Sequence, residues 1–283
     1  MLKPHTLPVK SSTVRFRLAG GAQPLILIPV EVNEQGPFDF ILDTGAGTSL
    51  LSVELAEKLK VKVLGSKQGQ SAGGAVSVSL AKVESLSVGT TRLPDVDVGI
   101  VDLKQIATTI GARIDGDLGY NFLRSFRISI DYEKYELRLD DPHRLDVFNR
   151  SGQTEVPLKL ANPAKPLILV NVSANGKGPF QFAIDTGTST TAITAELAKR
   201  LGVTGSPVGP VTTGGAHAAV KAGMLKSFMV GGAKTENMPV VIADFFAALS
   251  EAVGAKLDGI VGYNFLRNYK VVIDYPNDRL TLI

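Results

Sequence analysis

The sequence predicts an all-β protein, mainly strands with short helices, built from two copies of one domain. Three observations predict it. Asp-Thr-Gly occurs twice, as Asp43-Thr44-Gly45 and Asp185-Thr186-Gly187, each time after an apolar run, Pro-Phe-Asp-Phe-Ile-Leu or Pro-Phe-Gln-Phe-Ala-Ile. Further landmarks recur around them in the same order, which marks a duplication rather than chance. Most remaining segments are short, rich in β-branched and aromatic residues, and bounded by Gly, Pro or Asn, as strands are.

The elements follow in order. Pro24-Leu-Ile-Leu-Ile-Pro-Val returns as Pro166-Leu-Ile-Leu-Val-Asn-Val, and Gly36-Pro-Phe returns as Gly178-Pro-Phe. Strands are expected over 26–32, 38–42, 76–83 and 127–132, where apolar residues run or alternate. After each Asp-Thr-Gly comes an amphipathic stretch, Val53-Glu-Leu-Ala-Glu-Lys-Leu and Ala195-Glu-Leu-Ala-Lys-Arg-Leu. Ser52 and Thr194 precede these stretches and can cap them as helices. Helices are also expected over 103–112 and 244–255, and one or two helical turns over 121–126 and 264–269. A Gly-Gly pair lies in each half, Gly73-Gly74 and Gly214-Gly215. The closest repeat is Asp115-Gly-Asp-Leu-Gly-Tyr-Asn-Phe-Leu-Arg against Asp258-Gly-Ile-Val-Gly-Tyr-Asn-Phe-Leu-Arg, each running into a strand that ends Ile-Asp-Tyr. The polar, turn-rich stretch 140–153 separates the copies, which places the domains at 1–148 and 149–283, with the second copy's first strand near Gln153.

Composition narrows the functions. The chain has 283 residues, 44% hydrophobic and 20% charged, with a net charge of +3. That fits a globular protein with a sizeable core, and no basic run suggests nucleic acid. There are no cysteines, which excludes disulfides and thiolate catalysis. His5, His143 and His217 lack ligand spacing, so no metal site is expected. His217 reads as a solvated loop residue. No stretch approaches the ~18 consecutive apolar residues of a membrane helix. The opening residues contain no apolar h-region, so the chain reads either as cytosolic or as an exported, periplasmic or extracellular protein without its leader.

A carboxylate at the end of a buried strand stands on a rigid base, and the glycine two residues on allows a tight turn and close backbone approach. If two such turns face each other, Asp43 and Asp185 come into contact. Two like charges that close cannot both ionise; the pair shares a proton and can activate a water against a peptide carbonyl. Asp131 and Asp274, also duplicated, read as strand-end caps or partners of an arginine. Tyr120 and Tyr263 read as packing residues with a wet hydroxyl.

These motifs resemble the retropepsin-like aspartic proteases, specifically bacterial-type members with a later Gly-Tyr-Asn-Phe-Leu-Arg segment, and the resemblance spans nearly all of both halves. It implies two closed β-barrel domains arranged as a pepsin-like bilobal pseudo-dimer. It implies that Asp43 and Asp185 are the catalytic pair, supported by Thr44, Gly45, Thr186 and Gly187. Gly119 and Gly262 would pack behind the turns, and Gly73, Gly74, Gly214 and Gly215 would lie in two flaps over an extended peptide substrate. Pepsin-like enzymes usually have one flap carrying a Tyr; neither flap region here contains Tyr, which favours the retropepsin-like plan. The resemblance implies no cofactor and a monomer with an internal pseudo-two-fold axis.

Two departures from symmetry stand out. The backing segment has two apolar residues before its glycine in the second half, Ile260-Val261-Gly262, but reads Asp117-Leu118-Gly119 in the first. An acid there either disturbs the pair or turns to solvent. Ala46 stands where the second copy has Thr188, whose hydroxyl can hydrogen-bond an ionised Asp185, so Asp185 is expected to carry more of the charge. Two other functions remain open at this point: a protease whose halves pair across chains, and a non-catalytic peptide-binding or scaffolding protein that keeps the fold.

Overall fold

A computed structural model of the chain describes residues 11–71, 74–142, 153–163, 165–208, 211–213, 216–218 and 220–283. The first half runs β1 (Ser12–Arg15), β2 (Arg17–Ala19), β3 (Leu25–Val32), β4 (Gln35–Leu42) and β5 (Leu50–Ser52) into α1 (Val53–Lys58). It continues with β6 (Val63–Ser71), β7 (Gly74–Val88), β8 (Thr91–Val101), α2 (Lys104–Ile110) and β9 (Gly116–Leu118). It closes with α3 (Tyr120–Leu123), β10 (Arg127–Asp131) and β11 (Glu136–Asp140).

The second half repeats the order. It begins β12 (Thr154–Pro157), β13 (Lys159–Asn162), β14 (Lys165–Ala174), β15 (Lys177–Ile184), β16 (Ala192–Thr194) and α4 (Ala195–Leu201). Then come β17 (Ser206–Pro207), β18 (Val211–Thr213), β19 (Ala216–Ala218), β20 (Val220–Val230) and β21 (Ala233–Ala243). It ends with α5 (Phe246–Val253), β22 (Gly259–Val261), α6 (Tyr263–Leu266), β23 (Val271–Asp274) and β24 (Arg279–Leu282). The chain is therefore mainly β with short helices, and the expected boundary at 148/149 lies outside the described residues.

Each half closes on itself. In the first, β3, β4, β9, β5, β8 and β7 are neighbours in turn, and β7 returns to β3 through Glu31↔Ser87 and Val32↔Leu86. In the second, β14, β15, β22, β16, β21 and β20 do the same, closed by Val172↔Val230 and its neighbours. Closure removes the unpaired edges of an open sheet. A third sheet belongs to both halves, in the order β1-β11-β10-β23-β24-β12. Its seam is the antiparallel pair β10–β23, with Ile128 opposite Ile273 and Ser129 opposite Val272. The pseudo-dimer is thus one hydrogen-bonded body beneath its two barrels.

The apolar runs are explained by burial on both faces. In β3, Ile26, Ile28, Val30 and Val32 fill the first barrel, while Leu25 and Leu27 pack outside it with Ile106 and Ile110 of α2. In β14, Ile168, Val170 and Val172 point inward, and Leu167 and Leu169 pack with Phe246 and Val253 of α5. Phe40, Phe122 and Phe126 in one half and Phe182, Phe228 and Phe265 in the other are fully buried. Each such side chain contributes about 1.5–3 kcal/mol relative to exposure. The caps expected from sequence form: Ser52 Oγ accepts the Leu55 N–H at 3.1 Å and Thr194 Oγ1 accepts the Leu197 N–H at 2.9 Å.

Candidate active site

The two Asp-Thr-Gly turns follow β4 and β15 and meet at the junction of the halves. Their threonines interlock. The Thr44 N–H donates to Thr186 Oγ1 at 3.0 Å, and the Thr186 N–H donates to Thr44 Oγ1 at 3.1 Å. Each hydroxyl then donates onward across the junction, Thr44 to the Ile184 carbonyl at 3.2 Å and Thr186 to the Leu42 carbonyl at 2.7 Å. Both threonines are 1% exposed. Four buried hydrogen bonds therefore fix one turn against the other, and losing any partner leaves a buried polar group unpaired.

Asp43 and Asp185 stand just before the threonines, half-buried. Asp43 Oδ1 accepts the N–H groups of Gly45 at 2.6 Å and Ala46 at 3.1 Å. Asp185 Oδ1 accepts the Gly187 N–H at 2.8 Å, and its Oδ2 accepts the Thr188 hydroxyl at 2.8 Å. Each glycine faces the opposite carboxylate. A methyl group on Gly45 would lie 2.7 Å from Asp185 Cγ, and one on Gly187 would lie 2.6 Å from Asp43 Cγ, so no side chain fits at either position. The two carboxyls are therefore neighbours across the junction.

Their titration follows from this crowding. Burial first, and then the charge of Asp117, push Asp43 up from the ordinary 3.8 to about 8, against the hydrogen bonds from Asp185 and the Gly45 N–H. Burial and then the charge of Asp43 hold Asp185 well above the usual carboxylate range. The Thr188 hydroxyl pulls Asp185 the other way, in the direction read from the sequence, but those two effects outweigh it. Two carboxyls in such contact titrate as a pair.

The backing segments lock the turns from behind. The Asp43 N–H donates to the Leu118 carbonyl at 3.2 Å and the Asp185 N–H to the Val261 carbonyl at 3.0 Å. A methyl group on Gly119 would meet the Ala46 oxygen at 2.8 Å, and one on Gly262 the Thr188 oxygen at 2.6 Å. Four supporting residues escaped the sequence reading. Ser49 donates to Asn121 Oδ1 at 2.8 Å and accepts the Gly119 N–H at 3.0 Å. Thr191 makes the same bonds, to Asn264 at 2.8 Å and from the Gly262 N–H at 3.1 Å. The repeated hydroxyl six residues after each Asp, and the Asn within each Gly-Tyr-Asn, carried that signal.

Asp117 is not turned to solvent. It is 8% exposed, its Oδ1 is buried, and its charge acts on Asp43. The other duplicated residues have quieter places. Asp131 Oδ1 accepts the Lys134 N–H at 3.0 Å and Asp274 Oδ1 accepts from the Asn277 side chain at 2.9 Å, so both hold strand-end turns. Tyr120 stacks edge-on with Tyr275 at 5.2 Å and Tyr132 with Tyr263 at 5.6 Å, pairing rings across the two halves.

Gly73, Gly214 and Gly215 lie outside the described residues, as do His5 and His143. Gly74 opens β7 and pairs with Ser71, so its backbone belongs to the β6–β7 hairpin. In the second half, β18 pairs with β19, with Thr213 opposite Ala216. Each hairpin approaches a helix of the other half, β6 coming against α5 and β18 against α2 with Cα atoms within 8 Å.

Two closed barrels joined at interlocked Asp-Thr-Gly turns define an architecture of the aspartic-protease type. The sequence model of the aspartyl protease family matches residues 28–122 and again residues 170–265. The chain belongs to this family, in its retropepsin-like form, with two tandem domains. A comparison with curated proteins returns no match.

Proposed function

We propose that the chain is an aspartic endopeptidase in which Asp43 and Asp185, one from each half, jointly activate a water. Membership of the aspartyl protease family gives the protease class; the residue roles are our reading. The observation that carries it is the meeting of the two carboxyls over the interlocked threonines, within one chain.

The ionised member removes a proton from a water held between the carboxyls. The protonated member donates to the scissile carbonyl oxygen as the water oxygen bonds to carbon. The tetrahedral species then collapses: the leaving nitrogen takes a proton from the pair, one hydroxyl of the gem-diol returns its proton to the pair as the C=O bond reforms, and the C–N bond breaks. Thr44, Thr186, Gly45, Gly187, Gly119 and Gly262 hold the geometry. The substrate lies extended and adds backbone hydrogen bonds to the hairpins. The approach of each hairpin to the opposite half supports a role for both as flaps.

Asp43→Asn and Asp185→Asn, assayed separately on an unfolded protein in mildly acidic buffer, test this reading. Cleavage by the parent and its loss in both variants are expected. No cleavage by the parent, or full cleavage by either variant, sinks it and favours a peptide-binding role. The shared sheet and the intramolecular carboxyl pair support a working monomer. Activity that disappears at high dilution together with a dimer peak would instead favour pairing across chains.

A further inference from the structure

The halves differ most sharply at the strand behind each turn. β9 carries Asp117 where β22 carries Ile260, in the same register: Ile41 pairs with Asp117, and Ala183 with Ile260. Ile260 packs in an apolar cluster with Leu169, Ala183 and Phe246. Asp117 takes the equivalent place and lies opposite Leu50 on its other side. Its Oδ1 is buried without any donor from the protein. Asp115, just before this strand, is held by Arg113 at 2.7 Å, whereas the charges that act on Asp117 are those of carboxyls.

Asp117 pairs with Ile41, two residues before Asp43 on the same strand face, and its charge acts on Asp43, which is itself the neighbour of Asp185 across the turns. The bond from the Asp43 N–H to the Leu118 carbonyl holds the strand and the turn together. Asp43 is thus the middle of a row of three carboxyls. Three buried carboxyls in a row cannot all be charged, so the row retains protons.

We propose that Asp117 is a third member of the catalytic carboxyl cluster, a positioning residue that lets Asp43 keep its shared proton to higher pH than a two-carboxyl site would. This rests on the peptidase reading of Asp43 and Asp185. With one net charge, the row holds two protons. Loss of the next leaves charges on the outer members, Asp117 and Asp185, with the last proton on Asp43 between them. The pair is then still one acid and one carboxylate, so it still works. Disabling it requires a third charge in the row. In a two-carboxyl site the disabling loss creates only the second charge, which costs less.

Of the titratable groups around the row, and next to burial, Asp117 acts on Asp43 in the proposed direction, its charge and hydrogen bond both raising it, while the charge of Asp43 in turn holds Asp185 up. Burial first raises Asp117 to about 8, as it does Asp43, and Asp185 adds repulsion. The Thr188 hydroxyl favours charge on Asp185, the outer member farther from Asp117. Burial keeps the Tyr275 hydroxyl, which senses both Asp43 and Asp185, protonated throughout.

The test compares kcat/KM against pH for the parent, Asp117→Asn and Asp117→Ile on one peptide. Asparagine keeps size and a donor without the charge; isoleucine is the residue of the other half. The alkaline limb is expected to fall by about one pH unit or more in both variants, while the acid limb of the Asn variant stays in place. An unmoved alkaline limb in Asp117→Asn, or both limbs moving together, overturns the proposal. Carboxyl ¹³C NMR of the protein alone separates this from the peptidase reading. Asp43 is expected to titrate lower in Asp117→Asn than in the parent. That shift without cleavage by the parent keeps the cluster and removes the peptidase; cleavage with an unmoved Asp43 resonance does the reverse.

Discussion

The two halves agree wherever the scaffold is concerned and differ where charge is concerned. Ser49 and Thr191, Asn121 and Asn264, Gly119 and Gly262 make matching bonds and contacts. Against this, Asp117 stands where the other half has Ile260, and Ala46 where it has Thr188. A duplicated fold can therefore hold its backbone symmetric while its two acids live in unequal fields. An aspartic pair needs that inequality, because one member must give a proton as the other takes one.

The largest test of this comparison is removal of each acid. Asp43→Asn and Asp185→Asn are each expected to lower the rate of peptide cleavage by about 10²–10⁴-fold or more, measured as initial rates on one substrate. A variant that keeps the parent rate would show that the halves are not both needed.

The next effect is on stability against pH. Asp43 and Asp117 sit at about 8 in the folded protein against 3.8 for a free carboxyl, chiefly through burial. The folded state holds protons that the unfolded chain releases, so this stabilisation is complete below the unfolded value and is lost as pH rises through the folded one. The slope is about 1.4 kcal/mol per pH unit for each proton so held. Urea midpoints should fall between these two limits, and Asp117→Ile should flatten the fall. A midpoint that rises over that window contradicts the buried, protonated cluster.

Smaller again is the interlock. Thr44→Val and Thr186→Val should each cost about 1–3 kcal/mol in urea unfolding, because each leaves a buried N–H and a carbonyl without a partner. The double variant should cost less than the sum, since the two hydroxyls serve one network. Strict additivity would argue that the turns are held independently. The smallest effect is Ala46→Thr, which gives the first turn the hydroxyl of the second. It should lower the Asp43 titration by a few tenths of a pH unit to about one. An unchanged acid limb would mean that the 46/188 difference does not bias the pair.

Much of this was legible in the chain itself. The caps at Ser52 and Thr194, the short helices and the closely packed strands follow from rules that act over a few residues. The meaning of Asp117 was not legible, because an acid on a three-residue strand is compatible with solvent or with burial until its neighbours are placed. The Ser49–Asn121 and Thr191–Asn264 bonds were missed for a related reason. Their partners lie 72 and 73 residues apart, and no local pattern joins them.

The amino-acid order by itself determined the duplication, the strand-rich character of each copy and the two carboxyls set on glycine turns, because apolar periodicity, caps and turn chemistry are short-range. Only the tertiary structure decided that the turns interlock, that one sheet runs through both halves, and that a third acid is buried on the strand behind the first turn. Those outcomes depend on which distant surfaces meet, and burial on meeting is what sets the charge each group can carry.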